Sequence, residues 1–364
     1  MSRAALVSLA LGALIMGACT TAPPPTPTPG TTEAPGSTDA PATDAPTGSI
    51  LSQVQASDTV RCGVNTNLPG FGYPEEGTGR WLGFDADFCR VIAAAVLGDP
   101  EKVTFRQLSA DDRGPALQAG EIDVLIRNTT WTLTRDTEWG LFGPTTFYDG
   151  QGMMVPAASG VTELTDLAGA TICVQSGTTT ELTLPDQMRA LGVDYTQDTR
   201  PDIDQTYATY EGGDCDAVTS DRSQLVARRT LFANPDDHVL LEVVMSKEPL
   251  GPAVPFGDEV WFNVVKWATW VPMQAEEVGV NQGNLDQMRD ESTDPVIRRL
   301  LGVEGELGAK LGLSNDWAYN IISNVGNYAE IYDRHLGPGT PFNLDRGPNN
   351  LWTNGGLHYP PTWR

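Results

Sequence analysis

Short apolar runs alternate with longer amphipathic stretches along the chain from Thr59 onward. Short runs of branched apolar side chains are typical of strands, whereas apolar positions that recur every three to four residues are typical of helices. The pattern predicts strands at Thr59–Val64, Lys102–Leu108 and Ile122–Ile126, with helices at Phe84–Val96 and Asp112–Gln118 between them. This β-α-β-α-β order is typical of a doubly wound α/β sheet.

The alternation continues in the second half of the chain. A strand is expected to end at Gln175, Gly177 allows a tight turn, and a helix is expected to begin within Thr178–Thr180. A later strand runs out into Asp221. The pattern therefore predicts a second α/β unit, followed by helices at Val260–Glu277 and Pro295–Leu301.

The amino terminus has the features of an export signal. A short apolar run, Ala4–Met16, leads into Met16-Gly17-Ala18-Cys19, which is similar to a lipobox ending in its cysteine. The run is too short to span a bilayer, so residues 1–18 are predicted to be a lipoprotein signal peptide. Lipidation of Cys19 would anchor the mature protein at the outer face of the cytoplasmic membrane, or in a periplasm. Residues 19–49 are rich in Thr and Pro, which predicts a disordered tether.

Composition narrows the classes of function. About 315 residues remain after the tether, which is enough for two lobes with sizeable cores. The formal charge of −24 and the pI of about 4.3 argue against nucleic-acid binding, because no basic surface is available to neutralise phosphates. The chain has three histidines and no C-x-x-C spacing, so neither a metal nor a cofactor is expected.

Polar side chains follow the predicted strand Ile122–Ile126 directly, at Asn128, Thr130, Thr132 and Arg135. In open α/β sheets, small molecules bind beyond the carboxyl ends of the strands. The planar guanidinium of arginine matches a carboxylate, and threonine hydroxyls can donate or accept hydrogen bonds. The pattern indicates a ligand site, although a polar surface loop would have the same composition.

Three segments carry a resemblance to a known family. Gly120–Arg135 resembles the first-lobe signature of the polar amino acid-binding proteins of ABC importers, with Asn128 where that family usually has glycine. Thr165–Glu181 resembles the second-lobe signature, and Asp221 stands where the family has a carboxylate. The tail beyond Leu313, together with the Arg-Asn-Thr-Thr-Trp-Thr motif, is similar to the general L-amino acid-binding subgroup.

The resemblance implies a two-lobed periplasmic-binding-protein fold of type II. Each lobe would be a doubly wound sheet flanked by helices, and two hinge crossovers would join the lobes. Residues 50–150 plus 246–364 are expected to form lobe 1, and residues 151–245 lobe 2. The crossovers are expected at Tyr148–Val155 and Met245–Pro252.

The resemblance also implies roles for individual residues. The residues expected to bind the ligand carboxylate are Arg135, Thr130 and Thr179, and those expected to bind its ammonium are Asp221, Asn128 and Thr178. The residues expected to line the side-chain pocket are Asn65, Leu68, Phe71 and Trp131. The family typically has an acid near position 65 and an aromatic near position 68; this chain has neither, which predicts broad specificity. From the residues alone, Asp221 could instead cap a helix beginning at Arg222.

An even set of four cysteines besides Cys19 indicates two disulfides in an exported protein, with buried free thiols as the alternative. The sequence by itself permits three pairings. With two lobes that must move, we expect Cys62–Cys89 and Cys173–Cys215, because a crosslink between the lobes would stop them moving.

Together these features predict a monomeric receptor, not an enzyme, that closes on a free L-amino acid and delivers it to the permease subunits of an ABC transporter. Two alternatives remain. One is an exported enzyme on the same scaffold, similar to cyclohexadienyl dehydratase, for which Glu181 is the best spare carboxylate. The other is an amino-acid sensor module that acts through a separate partner.

Overall fold

A computed structural model describes residues 48–65 and 67–364. The predicted signal peptide, the lipidation of Cys19 and nearly all of the tether at 19–49 lie outside the described residues. Within the described part of the chain, no helix is both long enough and apolar enough to cross a membrane.

The strands and helices alternate through most of the chain. The strands of the described residues are β1 (Val60–Val64), β2 (Tyr73–Pro74), β3 (Trp81–Leu82), β4 (Val103–Gln107), β5 (Val124–Leu125), β6 (Leu141–Phe142), β7 (Phe147–Asp149), β8 (Gln151–Pro156), β9 (Thr171–Gln175), β10 (Thr196–Arg200), β11 (Ala217–Asp221), β12 (His238–Leu240), β13 (Glu248–Leu250) and β14 (Ala253–Val254). The α-helices are α1 (Ile50–Ser57), α2 (Phe84–Leu97), α3 (Arg113–Gln118), α4 (Leu133–Glu138), α5 (Thr179–Leu191), α6 (Ile203–Glu211), α7 (Arg222–Arg229), α8 (Glu259–Glu277), α9 (Leu285–Glu291), α10 (Pro295–Leu300), α11 (Trp317–Asn324) and α12 (Tyr328–His335).

Two five-stranded sheets form the frame of the molecule. The first has the order β4-β1-β5-β14-β6, and the second has the order β10-β9-β11-β8-β12. In the first sheet β1 pairs in parallel with β4 and β5, and in the second β9 pairs in parallel with β10 and β11. The predicted two-lobed α/β architecture, with helices flanking each sheet, is confirmed.

Both sheets are mixed rather than wholly parallel. β14 runs antiparallel to β5 and β6, and β8 runs antiparallel to β11 and β12. Each of these reversed strands lies just after a segment that passes from one sheet to the other. The chain therefore enters each sheet from the opposite end when it passes from the other sheet. The alternation of helices and strands in the sequence does not predict this reversal.

The two passages between the sheets are themselves paired. β7 and β13 form a two-stranded antiparallel ribbon, with Tyr148 opposite Pro249. Gly150 separates β7 from β8, so the segment expected to be one strand at Tyr148–Val155 is two. The ribbon is the covalent connection between the two sheets, and it lies where the hinge crossovers are expected.

The tail beyond Leu313 is a carboxyl-terminal extension that packs on the first sheet's helices and on the hinge ribbon. Tyr328 and Tyr332 of α12 lie edge-on to Phe84 of α2, in the main hydrophobic core. Farther on, the Asn349 side chain accepts a hydrogen bond from the Tyr148 amide over 2.6 Å and donates one to its carbonyl over 3.1 Å. The extension is thus part of the fold and holds one strand of the hinge ribbon.

Each sheet layer contains one disulfide. Cys62 of β1 is bonded to Cys89 of α2, and Cys173 of β9 is bonded to Cys215, which precedes β11. Asp198 lies beside the second pair, within 4.8 Å of both sulfurs. Disulfide sulfurs are not the thiolates that bind metals, so this cluster is not a metal site in the oxidised protein.

Asp87 of α2 joins the extension to the first lobe. The Arg334 Nη2 group donates to its carboxylate over 2.6 Å, His335 Nε2 lies 2.7 Å away, and Arg90 Nη1 donates over 3.1 Å. Burial alone would raise the pKa of Asp87, but the hydrogen bond from His335 and the charges of His335, Arg334 and Arg90 lower it to about 2. This carboxylate is therefore ionised in the folded protein down to strongly acidic pH.

Replacing Asp87 by asparagine is expected to lower the free energy of unfolding by about 3 kcal/mol at pH 7, because buried Arg90 loses its buried ion-pair partner and keeps the exposed Glu101, 3.4 Å away. Since the folded pKa lies below the unfolded value of about 3.9, the contribution is present above about pH 4 and is lost as the pH falls towards about 2. Urea denaturation at pH 7 and pH 3 measures both effects. Asp290→Asn, at an exposed position, is the control; equal stability of the two variants at pH 7 would refute the prediction.

Candidate functional site

Arg135 lies in the first turn of α4, the helix that follows β5. The Thr132 side chain accepts a hydrogen bond from the Arg135 amide over 3.2 Å and so caps α4. The guanidinium of Arg135 is buried; it donates to the Thr130 carbonyl over 3.1 Å and, in the second lobe, to the Gly177 carbonyl over 3.3 Å. It also lies 4.8 Å from the centre of the Trp139 ring. The arginine is thus held at the carboxyl end of the first sheet and reaches across to the second.

The start of α5 forms the facing wall. β9 ends at Gln175, Gly177 has a positive φ of 70°, and α5 begins at Thr179 as the sequence predicts. Thr178 caps the helix by accepting from the Glu181 amide over 3.1 Å. Glu181 in turn accepts from the Gly177 amide over 2.9 Å, so this carboxylate is engaged at the helix start.

Asp221 is the last residue of β11 and is buried, with 6% of its surface exposed. It precedes α7, but its side chain makes no capping hydrogen bond to that helix. Burial raises the pKa of Asp221 well above its usual value, and the nearby charges of Asp149 and Glu248 raise it further, while Arg113 and Arg135 oppose the shift. An additional positive charge beside Asp221 would therefore be stabilised.

The site has two walls, the segment after β5 on one side and the segments after β9 and β11 on the other. Several side chains link them. The side-chain nitrogen of Asn128 donates to the side-chain oxygen of Gln224 over 3.3 Å, and the hydroxyls of Thr130 and Thr179 lie 3.4 Å apart. Thr179 also donates to Glu248 of the hinge ribbon over 2.9 Å. The walls are close together, and the space for solvent between them is about 20 Å³. The residues that line this cavity are Arg113, Arg127, Asn128, Thr130, Gln175, Thr178, Thr179, Thr180, Ser220, Asp221 and Gln224.

The structure thus brings together most of the residues expected to bind an α-amino acid backbone. Asn128, Thr130, Thr178, Thr179 and Asp221 all line the same cavity. Arg135 is not among the residues that line the cavity, but its guanidinium donates to the carbonyl of Thr130, which does line it, and to the carbonyl of Gly177.

The four residues expected to line a side-chain pocket do not line this cavity. Leu68 and Phe71 are fully buried in the hydrophobic core, where Phe71 packs against Phe84. Asn65 contacts the cavity through Asn128, a lining residue, to whose side chain it donates a hydrogen bond over 2.8 Å. Trp131 is 43% exposed and stacks on Phe142. Apolar side chains in the loop after β1 turn inward because burial removes their surface from water.

Two cavity arginines were not anticipated from the sequence. Arg127 directly follows the apolar run of β5, and Arg113 is the first residue of α3; both are 3% exposed. Burial and the charge of Arg135 together lower the pKa of Arg127 to about 10, while Asp85, Asp221 and Asp111 oppose the shift. A charged residue at the end of an otherwise apolar strand is the sequence signal for Arg127, whereas nothing distinguishes Arg113 from an exposed first-turn residue.

Asp85 of α2 contacts the backbone of the same region. Its carboxylate accepts a hydrogen bond from the Asn128 amide over 2.7 Å. Asn128 has a positive φ of 33°, a conformation that asparagine tolerates better than most residues. Burial raises the pKa of Asp85 to about 7, while the hydrogen bond and the charge of Arg127 oppose that shift. Asp85 therefore holds the backbone at the end of β5 rather than capping α2.

Comparison with known proteins identifies the family. Residues 60–338 match the sequence model of the bacterial extracellular solute-binding proteins, family 3. The chain belongs to this family. The predicted resemblance to amino acid-binding proteins of ABC importers is thereby confirmed. The segments that follow β5, β9 and β11 are the parts of this solute-binding protein that meet around the cavity.

Curated relatives are similar over almost their whole length. The general L-amino acid-binding periplasmic protein AapJ of Rhizobium johnstonii is 48% identical over 323 residues, covering 88% of this chain and 94% of the relative. The glutamate/glutamine/aspartate/asparagine-binding protein BztA of Rhodobacter capsulatus is 44% identical over 321 residues, covering 88% and 95%. A solved ABC transporter periplasmic binding protein from Brucella ovis with glutathione bound is 47% identical, with a TM-score of 0.85, covering 87% of this chain and 99% of that one.

Proposed function

We propose that this family 3 protein binds a free L-amino acid between its two sheets and delivers it, as a monomer, to the permease subunits of an ABC transporter. The names of the relatives in Rhizobium johnstonii and Rhodobacter capsulatus support this ligand class. Membership of an extracellular solute-binding family supports the delivery step.

Two buried charges of opposite sign carry the proposal. Arg135 and Asp221 are each 6% exposed. Within residues 48–65 and 67–364, neither has an oppositely charged side chain within 4.0 Å. A buried charge without a partner is costly, so each favours a ligand that supplies the opposite charge. An amino-acid zwitterion supplies both charges on one small molecule.

The polar groups around these charges extend the assignment. In the proposal, the ligand carboxylate binds to Arg135 with the hydroxyls of Thr130 and Thr179, and the ammonium binds to Asp221 with Asn128 and Thr178. Arg135 would exchange its bond to the Gly177 carbonyl for a charge-assisted bond to the ligand, which is stronger. Both halves of the site draw on both sheets, so the bound ligand would hold the sheets together.

The narrow cavity supports a mechanism of opening and closing. A space of about 20 Å³ holds little more than one water molecule, so a ligand enters only when the walls move apart. We propose that lobe 1 (50–150 plus 246–364) and lobe 2 (151–245) open and close about the β7/β13 ribbon. Ligand binding stabilises the closed form because only that form completes the zwitterion site.

Breadth of specificity stays a prediction. It was expected from the loop after β1, whose Leu68 and Phe71 lie in the core. That loop therefore offers no apolar side chain by which to select or reject a ligand, and we propose that the site accepts several amino acids. A single amino acid bound orders of magnitude more tightly than all others would refute this.

Calorimetric titration with a panel of L-amino acids tests the proposal. The purified protein is first unfolded and refolded, which removes any ligand carried through purification. We expect saturable binding of several amino acids and no binding of propionate or ethylamine, each of which carries only one of the two charges. Binding of either control as tightly as L-alanine would show that the site does not require a zwitterion.

The enzyme and sensor alternatives are less well supported. Glu181, the best spare carboxylate, is engaged with the Gly177 amide at the start of α5 and does not line the cavity. Mass spectrometry of each amino acid after prolonged incubation with the protein tests the enzyme alternative. We expect every ligand to be recovered unchanged; appearance of a product would favour an enzyme.

We also propose that Cys19 is lipidated and anchors the protein to a membrane, with the Thr- and Pro-rich segment 19–49 as its tether. Cys19→Ser is expected to move the protein from the membrane fraction to the soluble fraction, because the acyl chains attach through the Cys19 thiol and amine. Thr20→Ser is the matched control. A variant without Cys19 that remains in the membrane fraction would exclude lipid anchoring at this residue.

A further inference from the structure

Arg113 and Arg127 lie in the wall of the cavity that also contains Asp221. Both come from the first lobe, Arg127 after β5 and Arg113 at the start of α3. The proposed zwitterion site uses neither of them. Their presence in a cavity this small means that any ligand there lies close to two further cations.

Neither arginine has the ion pair that buried arginines elsewhere in this protein have. Arg90 pairs with Asp87 at 3.1 Å and Arg228 pairs with Asp204 at 2.8 Å. Within the described residues, by contrast, no carboxylate lies within 4.0 Å of Arg113 or Arg127.

The hydrogen bonds of the two guanidiniums go mainly to uncharged oxygens. Arg113 donates to the Gly177 carbonyl over 3.0 Å and lies 3.5 Å from the Thr129 hydroxyl, and its buried Nε has no partner among the described residues. Arg127 donates to the Leu108 carbonyl over 3.0 Å and to the Asn128 side chain over 3.4 Å. Both side chains are therefore positioned, but their charge is not compensated by direct contact.

The carboxyls around the pair act on it at longer range and not by direct contact. Burial lowers the pKa of Arg113 well below its usual value, and the charges of Arg135 and Arg127 lower it further. Asp85 is engaged by the Asn128 amide, and Asp111 is exposed and accepts from the Ser176 hydroxyl. Asp221 acts on all three arginines at longer range and is already assigned to the ligand ammonium. Glu248 is buried and acts mainly on Arg135. None of these carboxyls lies within 4.0 Å of Arg113 or Arg127, so neither arginine has a direct ion pair among the described residues.

We propose that Arg113 and Arg127 form a second anion subsite, which binds the side-chain carboxylate of an acidic L-amino acid while Arg135 and Asp221 hold its backbone groups. This deepens the proposed function and rests on it. The site then accepts several amino acids but binds glutamate and aspartate most tightly.

The required chemistry is a zwitterion with a second carboxylate, and two kinds of molecule carry it. An acidic amino acid is one, and glutathione, the ligand of the solved Brucella ovis relative, is the other. The small space between the walls favours the amino acid, because a tripeptide would have to separate the lobes much farther.

Paired ligands of nearly equal shape test the subsite without any mutation. Calorimetry should give glutamate an affinity at least about tenfold higher than glutamine, and aspartate the same advantage over asparagine, as expected for one charge-assisted contact. Equal affinities within each pair would overturn the subsite while leaving the proposed amino-acid function intact. If neither these ligands nor glutathione binds, both proposals fall.

Variants locate the effect on the two arginines. Arg127→Gln and Arg113→Gln should each reduce the ratio of glutamate to glutamine affinity by roughly tenfold. Arg106→Gln, which removes a half-exposed arginine on the same sheet, should leave the ratio unchanged. Equal weakening of both ligands in the two cavity variants would contradict the subsite, and melting curves would detect a variant that has not folded.

Glutathione and its glycine monoethyl ester identify the source of the second carboxylate. Weaker binding of glutathione than of glutamate supports the acidic amino acid. Tighter binding of glutathione that is lost in the ester and in Arg127→Gln keeps the subsite but overturns the amino acid as its ligand.

Discussion

Asp221→Ala is expected to abolish amino-acid binding. Asp221 is the buried carboxylate of the cavity with no basic side chain within 4.0 Å among the described residues, so the variant loses the ion pair with the ligand ammonium and leaves that ammonium buried. Removing one partner of a buried charge pair costs about 3–5 kcal/mol, which corresponds to a loss of affinity of about 10²- to 10³-fold or more. Calorimetric titration with the tightest-binding amino acid measures the loss.

Asp214→Ala is the matched control, because it removes an exposed aspartate seven residues earlier in the same segment. It should bind like the unmodified protein. Retained affinity in Asp221→Ala would place the ammonium elsewhere, and equal losses in both variants would indicate a general effect of charge.

The pH dependence of binding gives a second readout of Asp221. Burial and the charges of Asp149 and Glu248 raise its pKa in the free protein. A bound ammonium favours the ionised carboxylate and lowers that pKa, so binding releases protons and affinity falls as the pH is lowered. Titrations of the unmodified protein in two buffers of different ionisation enthalpy measure the release, and binding without proton release would contradict this role of Asp221.

Arg135→Ala is expected to reduce affinity by about 100-fold or more, because the guanidinium is the proposed main contact of the ligand carboxylate. Its present partners are two carbonyls, Thr130 and Gly177, and both can return to solvent when the lobes open. The fold should therefore survive, as circular dichroism and melting curves would report. Arg135→Lys should bind more weakly than the unmodified protein, since an ammonium lacks the planar fork of donors.

Arg189→Ala controls for loss of a positive charge, because Arg189 is exposed on α5 and pairs with the exposed Asp186. It should leave affinity unchanged. If Arg135→Ala bound normally while Arg113→Gln did not bind at all, the carboxylate would have to be reassigned to Arg113.

The alternation of short apolar runs and amphipathic stretches was enough to predict the sheets and most of their helices. The observed α2, Phe84–Leu97, and α8, Glu259–Glu277, differ from the expected helices by one residue at one end. The position of Arg135 beyond β5 was predicted from the rule that ligands bind beyond the carboxyl ends of the strands in open α/β sheets. These are local signals, and they depend on few distant contacts.

Features that depend on distant contacts could not be obtained in this way. The antiparallel direction of β14 is set by the hinge ribbon, which forms between segments about 100 residues apart. The burial of Leu68 and Phe71 depends on α2 and β7, against which the loop packs. The sequence around Arg113 has no pattern that distinguishes a cavity arginine from an exposed one.

The most direct test of the central claim is a crystal structure of the protein with its tightest-binding L-amino acid. The account predicts one molecule in the cavity between the two sheets, with its carboxylate oxygens about 3 Å from the Arg135 guanidinium and its ammonium about 3 Å from the Asp221 carboxylate. A ligand bound outside this cavity, or one whose ammonium faces Arg135, would contradict it.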